Sequence, residues 1–248
     1  MSILTINSPN QALSNSDLTT SARRVLIFGI GLQMAMLVPS LLAFLLDERL
    51  VNAINVWSKP LKFQLSMSLN MLTVLWVLPL LSASWLSSRT VRWSALAVAC
   101  ASTFEIAYIV LQASRGRASH FNALTPVEGL MYQIMGVGSV ILVLGPFLVG
   151  IAIWRSPATA SRGFRTGAIL GLTIGAIMTL FTAGYLSSSI IVESGRWVAG
   201  VRNDASGLPL LGWSTTGGDL RVSHFFATHT MQAVPLIGLV ADRLAPRK

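Results

Sequence analysis

The chain has 248 residues, of which 53% are apolar and only 11% charged, and its formal net charge is +9. Soluble domains carry roughly 25% charged residues, so this composition and a mean hydropathy of +0.66 exclude an ordinary soluble protein. The basic residues stand singly or in pairs at the ends of apolar runs, which argues against a nucleic-acid partner. The sequence therefore predicts an all-α integral membrane protein in contact with the lipid bilayer, placed in a bacterial inner membrane.

The first 22 residues are polar and lack the basic and apolar regions of a cleaved signal peptide. Residues 1–22 are therefore predicted to be a disordered tail, and residues 23–248 a single helical membrane domain. A helix needs about 20 apolar residues to cross ~30 Å of hydrocarbon. About six runs meet this requirement, and they cover residues 25–46, 61–83, 93–113, 127–154, 166–190 and 224–244.

The connections between these runs predict the orientation. With the N-terminus in the cytoplasm, the inner connections are short and almost purely basic, and they hold a small excess of Lys and Arg. We therefore expect both termini inside, with a long outer loop over residues 192–223 between the fifth and sixth helices. Trp197 and Trp213 favour a position of this loop on the membrane interface. A second outer segment, 47–58, has the apolar spacing of a short amphipathic helix.

The second run carries a polar stripe. Lys62, Ser66, Asn70 and Thr73 follow one another at spacings of four, four and three, which places them on one helical face. Lipid cannot satisfy such a stripe, so it is expected to face protein or water. Interhelical hydrogen bonds and a binding site both fit this pattern.

The third run contains Glu105, the one acidic residue that we expect well inside the bilayer. A charged carboxylate at the centre of a membrane helix costs ~2.5–3.5 kcal/mol. Tyr108 and Gln112 share its helical face. A protonated Glu105 that bonds to a neighbouring helix is one interpretation, and a functional carboxyl group is the other.

Small residues predict where the fifth helix packs. Gly167, Gly171 and Gly175 form two consecutive small-xxx-small steps, a pattern typical of helices that approach one another closely in membranes. The single Cys100 leaves no intrachain disulfide to consider.

The start of the sixth run concentrates chemistry. Asp219, Arg221, His224, His229 and Gln232 fall within one short stretch at the predicted outer mouth of this helix. Residues 221–225, RVSHF, also match residues 117–121, RASHF, at four of five positions. If this repeat is real, two helical hairpins present equivalent histidines to a shared centre.

The most polar side chains of four runs are expected at a common depth. At ~1.5 Å rise per residue, Asn70, Glu105, Tyr132 and His229 lie about 8 to 13 Å below the outer helix ends. The inner half holds no comparable collection. The sequence therefore predicts one polar cavity that is open to the outside and closed at the cytoplasmic end.

The leading hypothesis is a membrane redox protein or oxidoreductase that binds haem b or a transition metal ion. Neutral imidazole is the commonest metal ligand, and His120, His224 and His229 are the predicted metal ligands. Tyr132 and Gln232 are expected to line the cofactor site together with the histidines.

Three alternatives stay open, the last of which is a structural or accessory subunit whose His and Arg side chains satisfy one another. The first is a transporter or receptor that binds a lipid, a quinone or another small amphiphile, or an anion held by outer basic residues. The second is a metal-free enzyme that modifies a lipid or isoprenoid, with Glu105, Asp219 and Arg221 as catalytic residues and His229 as the base.

Overall fold

The computed structural model describes residues 15–157, 162–188, 207–208, 211–216 and 218–244. Within these residues the chain is almost entirely helical, with one two-stranded hairpin. The helices are α1 (Asn15–Leu46), α2 (Ser58–Val77), α3 (Ala83–Leu86), α4 (Arg89–Ser114), α5 (Pro126–Arg155), α6 (Arg162–Leu186) and α7 (Leu220–Leu244). A 3-10 turn, Leu78–Leu80, continues α2, and strands β1 (Leu50–Val51) and β2 (Ile54–Asn55) lie between α1 and α2.

Five of the described helices are long and apolar enough to cross a membrane, namely α1 from Ser21, α2 with its 3-10 turn, α4, α5 and α6. They coincide with the first five predicted runs and confirm a helical architecture that is compatible with a membrane. The sixth run forms α7, which is not among these five helices. The predicted count of six spans is therefore not confirmed. Because α1 begins at Asn15, its first turns fall within the segment predicted as a tail.

The connection between α1 and α2 is a β-hairpin, which corrects the amphipathic helix expected there. Asn52 and Ala53 both have positive φ, 53° and 64°, as the two-residue turns that suit hairpins require. Asp47 fastens the hairpin because its carboxylate accepts hydrogen bonds from Arg49 Nε at 2.9 Å and Trp57 Nε1 at 2.8 Å. These local side-chain bonds compete successfully with a helical backbone.

The helices pack in a chain of neighbours. α1, α2 and α4 contact one another, α5 packs on α4, α6 on α5 and α7 on α6. At the α1 interface a Cβ on Gly29 would lie 2.8 Å from Met71 Sδ and 3.3 Å from Ala99 Cβ. Gln64 Nε2 also donates to Ser40 Oγ at 3.0 Å. α1 therefore buries Gln33 and Ser40, whereas several large apolar side chains, among them Phe28 and Leu45, are exposed, as expected for contact with lipid.

The glycine face of α6 is a helix-packing face, as the sequence predicts, and its partner is α7. A Cβ on Gly167 would lie 2.6 Å from Val234 O, and one on Gly171 would lie 2.6 Å from Pro235 Cδ. Gly175 has an equally close contact one turn further on, at Met231 Cγ, which is 2.8 Å from its ideal Cβ position. The two helices thus meet backbone to backbone over several turns.

Candidate functional site

The β-hairpin, the α4–α5 turn and the start of α7 lie at one end of the bundle, which we call the polar end. Arg49 Nη2 donates to Ser114 O at the end of α4, at 3.1 Å. Lys62 Nζ on α2 donates to Leu211 O, in the segment before α7, at 3.0 Å. An open pocket of about 640 Å³ lies between Val51 and the α4–α5 turn. The chemically rich segments that were predicted to lie outside therefore do meet at the polar end.

Glu128 organises the α4–α5 turn. Its buried carboxylate accepts hydrogen bonds from Gln112 Nε2, Arg117 Nε and Thr125 Oγ1, each at 3.1 Å. Thr125 in turn caps α5, since its hydroxyl accepts from Glu128 N at 3.2 Å. Arg115 Nη1 donates to Gln112 Oε1 at 2.9 Å. The basic side chains of this turn are thus engaged by acceptors of the protein itself, which weakens the anion-binding version of the transporter hypothesis.

His120 belongs to an aromatic layer, which we define as Phe63, His120 and Tyr132. The His120 ring centroid lies 5.7 Å from that of Phe63 on α2 and 6.3 Å from that of Tyr132 on α5. His120 Nδ1 is 3.1 Å from Ser119 Oγ. Desolvation by the surrounding protein, assisted by the charge of Lys59, holds the pKa of His120 well below its ordinary value. His120 is therefore a neutral imidazole at pH 7.

Glu105 lies deeper on α4, nine residues or ~14 Å before the helix ends at Ser114. The side chain is 1% exposed. Its carboxyl group packs against Gly138 of α5, where a Cβ would lie 2.8 Å from Oε1. This oxygen has no hydrogen-bond partner among the described residues. The predicted intramembrane carboxyl group is therefore buried and incompletely satisfied.

Other buried polar atoms on the same three helices also lack a partner within the described parts of the chain. Asn70 donates its Nδ2 to Leu142 O at 3.2 Å, but its Oδ1 accepts nothing. The hydroxyl groups of Ser68, Ser94, Ser102, Tyr108 and Tyr132 and the Oε1 of Gln64 share this condition. We call five of these residues the polar core, namely Asn70, Ser102, Glu105, Tyr108 and Tyr132.

Asp219 and Arg221 are paired with each other. Arg221 Nε donates to Asp219 Oδ1 at 2.9 Å, and Arg221 Nη2 donates to Gly212 O at 2.6 Å. Ser214 N donates to Asp219 Oδ2 at 2.9 Å. Burial raises the pKa of Asp219, but the hydrogen bonds from Arg221 and Ser214 together bring it below its ordinary value. The pair anchors the segment before α7, and Asp219 holds no proton for acid catalysis at neutral pH.

His224 and His229 lie on α7 with separate partners. His224 Nδ1 is 3.2 Å from Thr182 Oγ1 on α6. His229 Nδ1 is 3.1 Å from Gln232 Oε1, and the His229 ring centroid is 4.2 Å from that of Phe225. The contacts described for these side chains do not join His229 to Glu105 or Asp219, the carboxyl groups predicted to act with it in catalysis.

The three histidines therefore do not form one centre. Within the described residues, no three His, Cys, Asp or Glu side chains are placed to hold a metal ion. The physical reason is that His120 is held in the α4–α5 turn, whereas His224 and His229 are held on the α6–α7 pair. The described residues give no support to a metal site built from all three.

Sequence reasoning missed Lys59 and Phe63 as site residues. Lys59 Nζ lies 5.4 Å from the Phe63 ring centroid, and both lie at the mouth of α2 beside His120. Their i, i+4 spacing was the available signal. The short repeat also gains a structural parallel, because the arginine of each copy binds a buried carboxylate, Arg117 that of Glu128 and Arg221 that of Asp219.

Comparison with known proteins adds no family. The chain matches no protein-family model, no curated protein and no solved structure. The fold and the site thus define a helical membrane protein with a polar interior, and its function must be inferred from its own side chains.

Proposed function

We propose that this protein is a transporter-type or receptor-type membrane protein that binds a small amphiphilic molecule in the polar core. The observation that carries the proposal is the set of partnerless polar atoms on three neighbouring helices. Buried polar groups are nearly always hydrogen-bonded, and an unsatisfied one costs about 1–3 kcal/mol. The polar head of an amphiphile would satisfy several of them at once, with its apolar part between the helices.

The aromatic layer supports the same proposal. Phe63, His120 and Tyr132 lie between the polar end and Glu105, and their rings offer flat apolar surface with a neutral imidazole at the centre. A ligand that enters from the polar end would pass this layer before it reaches the polar core. Because the nearby arginines already bind protein acceptors, an uncharged or cationic head fits better than an anionic one.

The proposal includes six spans, a bacterial inner membrane and both termini in the cytoplasm. The 25 residues of α7 extend ~37 Å, enough to cross hydrocarbon. They pack along α6 from the contact between Gly163 and Asp242 to that between Gly175 and Met231. Single cysteines at Ser88 and Ser188, in a Cys100→Ser background, should react with impermeant reagent from opposite sides. Labelling of both from one side would contradict this topology.

Ligand binding is tested by extraction. Wild-type protein purified into nanodiscs should retain a small molecule that mass spectrometry of solvent extracts detects above empty nanodiscs. Tyr132→Phe removes one partnerless hydroxyl and should lower its amount, whereas Tyr185→Phe alters an exposed tyrosine and should not. Wild-type extracts identical to those of empty nanodiscs, together with no thermal stabilisation by membrane lipid extract, would refute the proposal.

A redox function with haem b or a metal ion is the second candidate. One observation favours it, since all three histidines place Nδ1 beside a polar side-chain atom, at Ser119, Thr182 and Gln232. Such bonds orient imidazoles whose Nε2 serves as a ligand. An absorption spectrum of oxidised and dithionite-reduced protein, with metal analysis, decides the matter. A Soret band or stoichiometric metal that His229→Ala abolishes would establish this function, and a colourless, metal-free, folded sample would dismiss it.

A further inference from the structure

Two oxygens of the polar core, Asn70 Oδ1 and Oε1 of an ionised Glu105, can only accept hydrogen bonds. Asn70 donates its Nδ2 to Leu142 O of α5, and its Oδ1 has no partner in the described structure. Glu105 Oε1 has none either, and it lies against Gly138 of the same helix. Gly138 and Leu142 are four residues apart, or ~6 Å along α5. Both acceptors are therefore held against the same turn of α5.

Ser102 adds a third oxygen. It is fully buried and precedes Glu105 by three residues, so the two side chains share one face of α4. Thr73 and Thr103 satisfy their hydroxyl groups by donating to the carbonyl four residues earlier, at 2.7 and 2.9 Å. Ser102 Oγ makes no such bond to any described residue. Its hydroxyl oxygen can therefore join the other two in holding a ligand.

A proton alone does not complete this group. Protonation would neutralise Glu105 and supply one O–H donor, but that donor serves a single acceptor, whereas a cation contacts the carboxylate, amide and hydroxyl oxygens at once. Carboxylate, amide and hydroxyl oxygens are the ligands that hard cations prefer. A divalent ion such as Ca²⁺ takes about 6–8 oxygens with several carboxylates, whereas one carboxylate is balanced by one positive charge. The composition of the group thus favours a monovalent cation.

We propose that Asn70, Ser102 and Glu105 bind a monovalent cation within the membrane. An alkali metal ion and a small ammonium group are two sources of this one chemistry. The proposal rests on the proposed function in one respect, since it places the cation in the same polar core and makes it the regulator of amphiphile binding. The bound charge neutralises Glu105, so occupancy by the cation and by the amphiphile are coupled.

Thermal unfolding of the full chain in nanodiscs tests the site. Melting temperatures are compared in NaCl, KCl, LiCl, methylammonium chloride and N-methyl-D-glucamine chloride at equal ionic strength and pH. A ligand that binds only the folded state raises the melting temperature in a saturable way. We expect this rise with at least one of the small cations and none with N-methyl-D-glucamine. A rise with methylammonium alone identifies an ammonium ligand.

Variants assign the response to these residues. Glu105→Gln should abolish the ion-dependent shift, and Ser102→Ala should move its midpoint several-fold towards higher salt. Glu48→Gln makes the same change of charge at an exposed position and should respond like the wild type. If Glu105→Gln does not fold, Ser102→Ala carries the test, because it removes a single oxygen.

The outcomes separate the two proposals. Equal melting of the wild type in all five salts overturns the cation site, and so does an unchanged ion response in both Glu105→Gln and Ser102→Ala. A cation response in protein that neither retains an amphiphile nor gains thermal stability from membrane lipid extract supports the cation site and overturns the proposed function. A retained amphiphile without any cation response supports the proposed function and overturns the cation site.

Discussion

The α6–α7 pair and the polar core are both buried helix interfaces, yet they satisfy their polar groups differently. Between α6 and α7, Asp242 accepts hydrogen bonds from Gly163 N at 2.8 Å and Phe164 N at 2.6 Å. In the polar core, Asn70 and Glu105 each retain an oxygen without a described partner. Among the described residues, the first interface satisfies this carboxylate with protein atoms. Under our proposal a ligand satisfies the oxygens of the second, so we treat the first as a packing region and the second as a candidate binding region.

The largest expected effect comes from Gly167→Ala in the packing region. The new Cβ would lie 2.6 Å from Val234 O and 3.0 Å from Pro235 Cα, and these backbone atoms cannot move aside cheaply. We expect a loss of about 1–3 kcal/mol in the free energy of unfolding, as overpacking typically costs. Gly184→Ala is the matched control on the same helix, because no atom of the described residues lies within 4 Å of its Cβ position. Equal free energies of unfolding for the two variants would contradict the close approach of α6 and α7 at Gly167.

Asp242→Ala should have the next largest effect. It removes the carboxylate that accepts from two backbone N–H groups in the first turn of α6. Loss of a capping side chain costs about 0.5–2 kcal/mol. Denaturant or thermal unfolding measures the loss, and Asp242→Asn should restore part of it because Asn also accepts. An alanine variant as stable as the wild type would contradict the capping role.

Asp219 supplies a pH-dependent test at the polar end. Because the pKa of Asp219 is lower in the folded protein, the pair with Arg221 stabilises the fold at neutral pH. This contribution is lost as the pH falls through the folded pKa. The stability difference between wild type and Asp219→Asn should therefore be present at pH 7 and shrink at acidic pH. A difference that is constant from pH 7 to pH 3 would refute the assignment.

The smallest effect on stability is expected from Gly138→Ala, which repeats the Gly167 change in the polar core. Here the new Cβ would lie 2.8 Å from Glu105 Oε1, the end of a flexible side chain that can shift. Unfolding should change by less than about 1 kcal/mol, because the displaced group is not backbone. The ion-dependent shift in melting temperature should weaken instead. A stability loss as large as that of Gly167→Ala would erase the contrast between the two regions.

The spans and the glycine face could be predicted because each is a local property of the sequence. Apolar length identifies a membrane helix, and the spacing of Gly167, Gly171 and Gly175 identifies a packing face. The partners of His120 and His224 could not be predicted from the sequence. Phe63 and Thr182 are brought to these histidines only by packing between distant segments. The β-hairpin between α1 and α2 was not predicted, because its turn residues, Asn52 and Ala53, adopt positive φ although neither is a glycine.

The bond from Asp242 to the first turn of α6 has a consequence for the synthesis of the protein. The capping carboxylate follows Gly163 by 79 residues along the chain. At roughly 5–20 residues per second, the ribosome delivers it about 4–16 s after the helix start that it caps. During that interval α6 has neither its cap nor the partner for its glycine face. The α6–α7 pair is therefore expected to form only late in translation. Chains truncated before Asp242 should be preferred targets of membrane proteases.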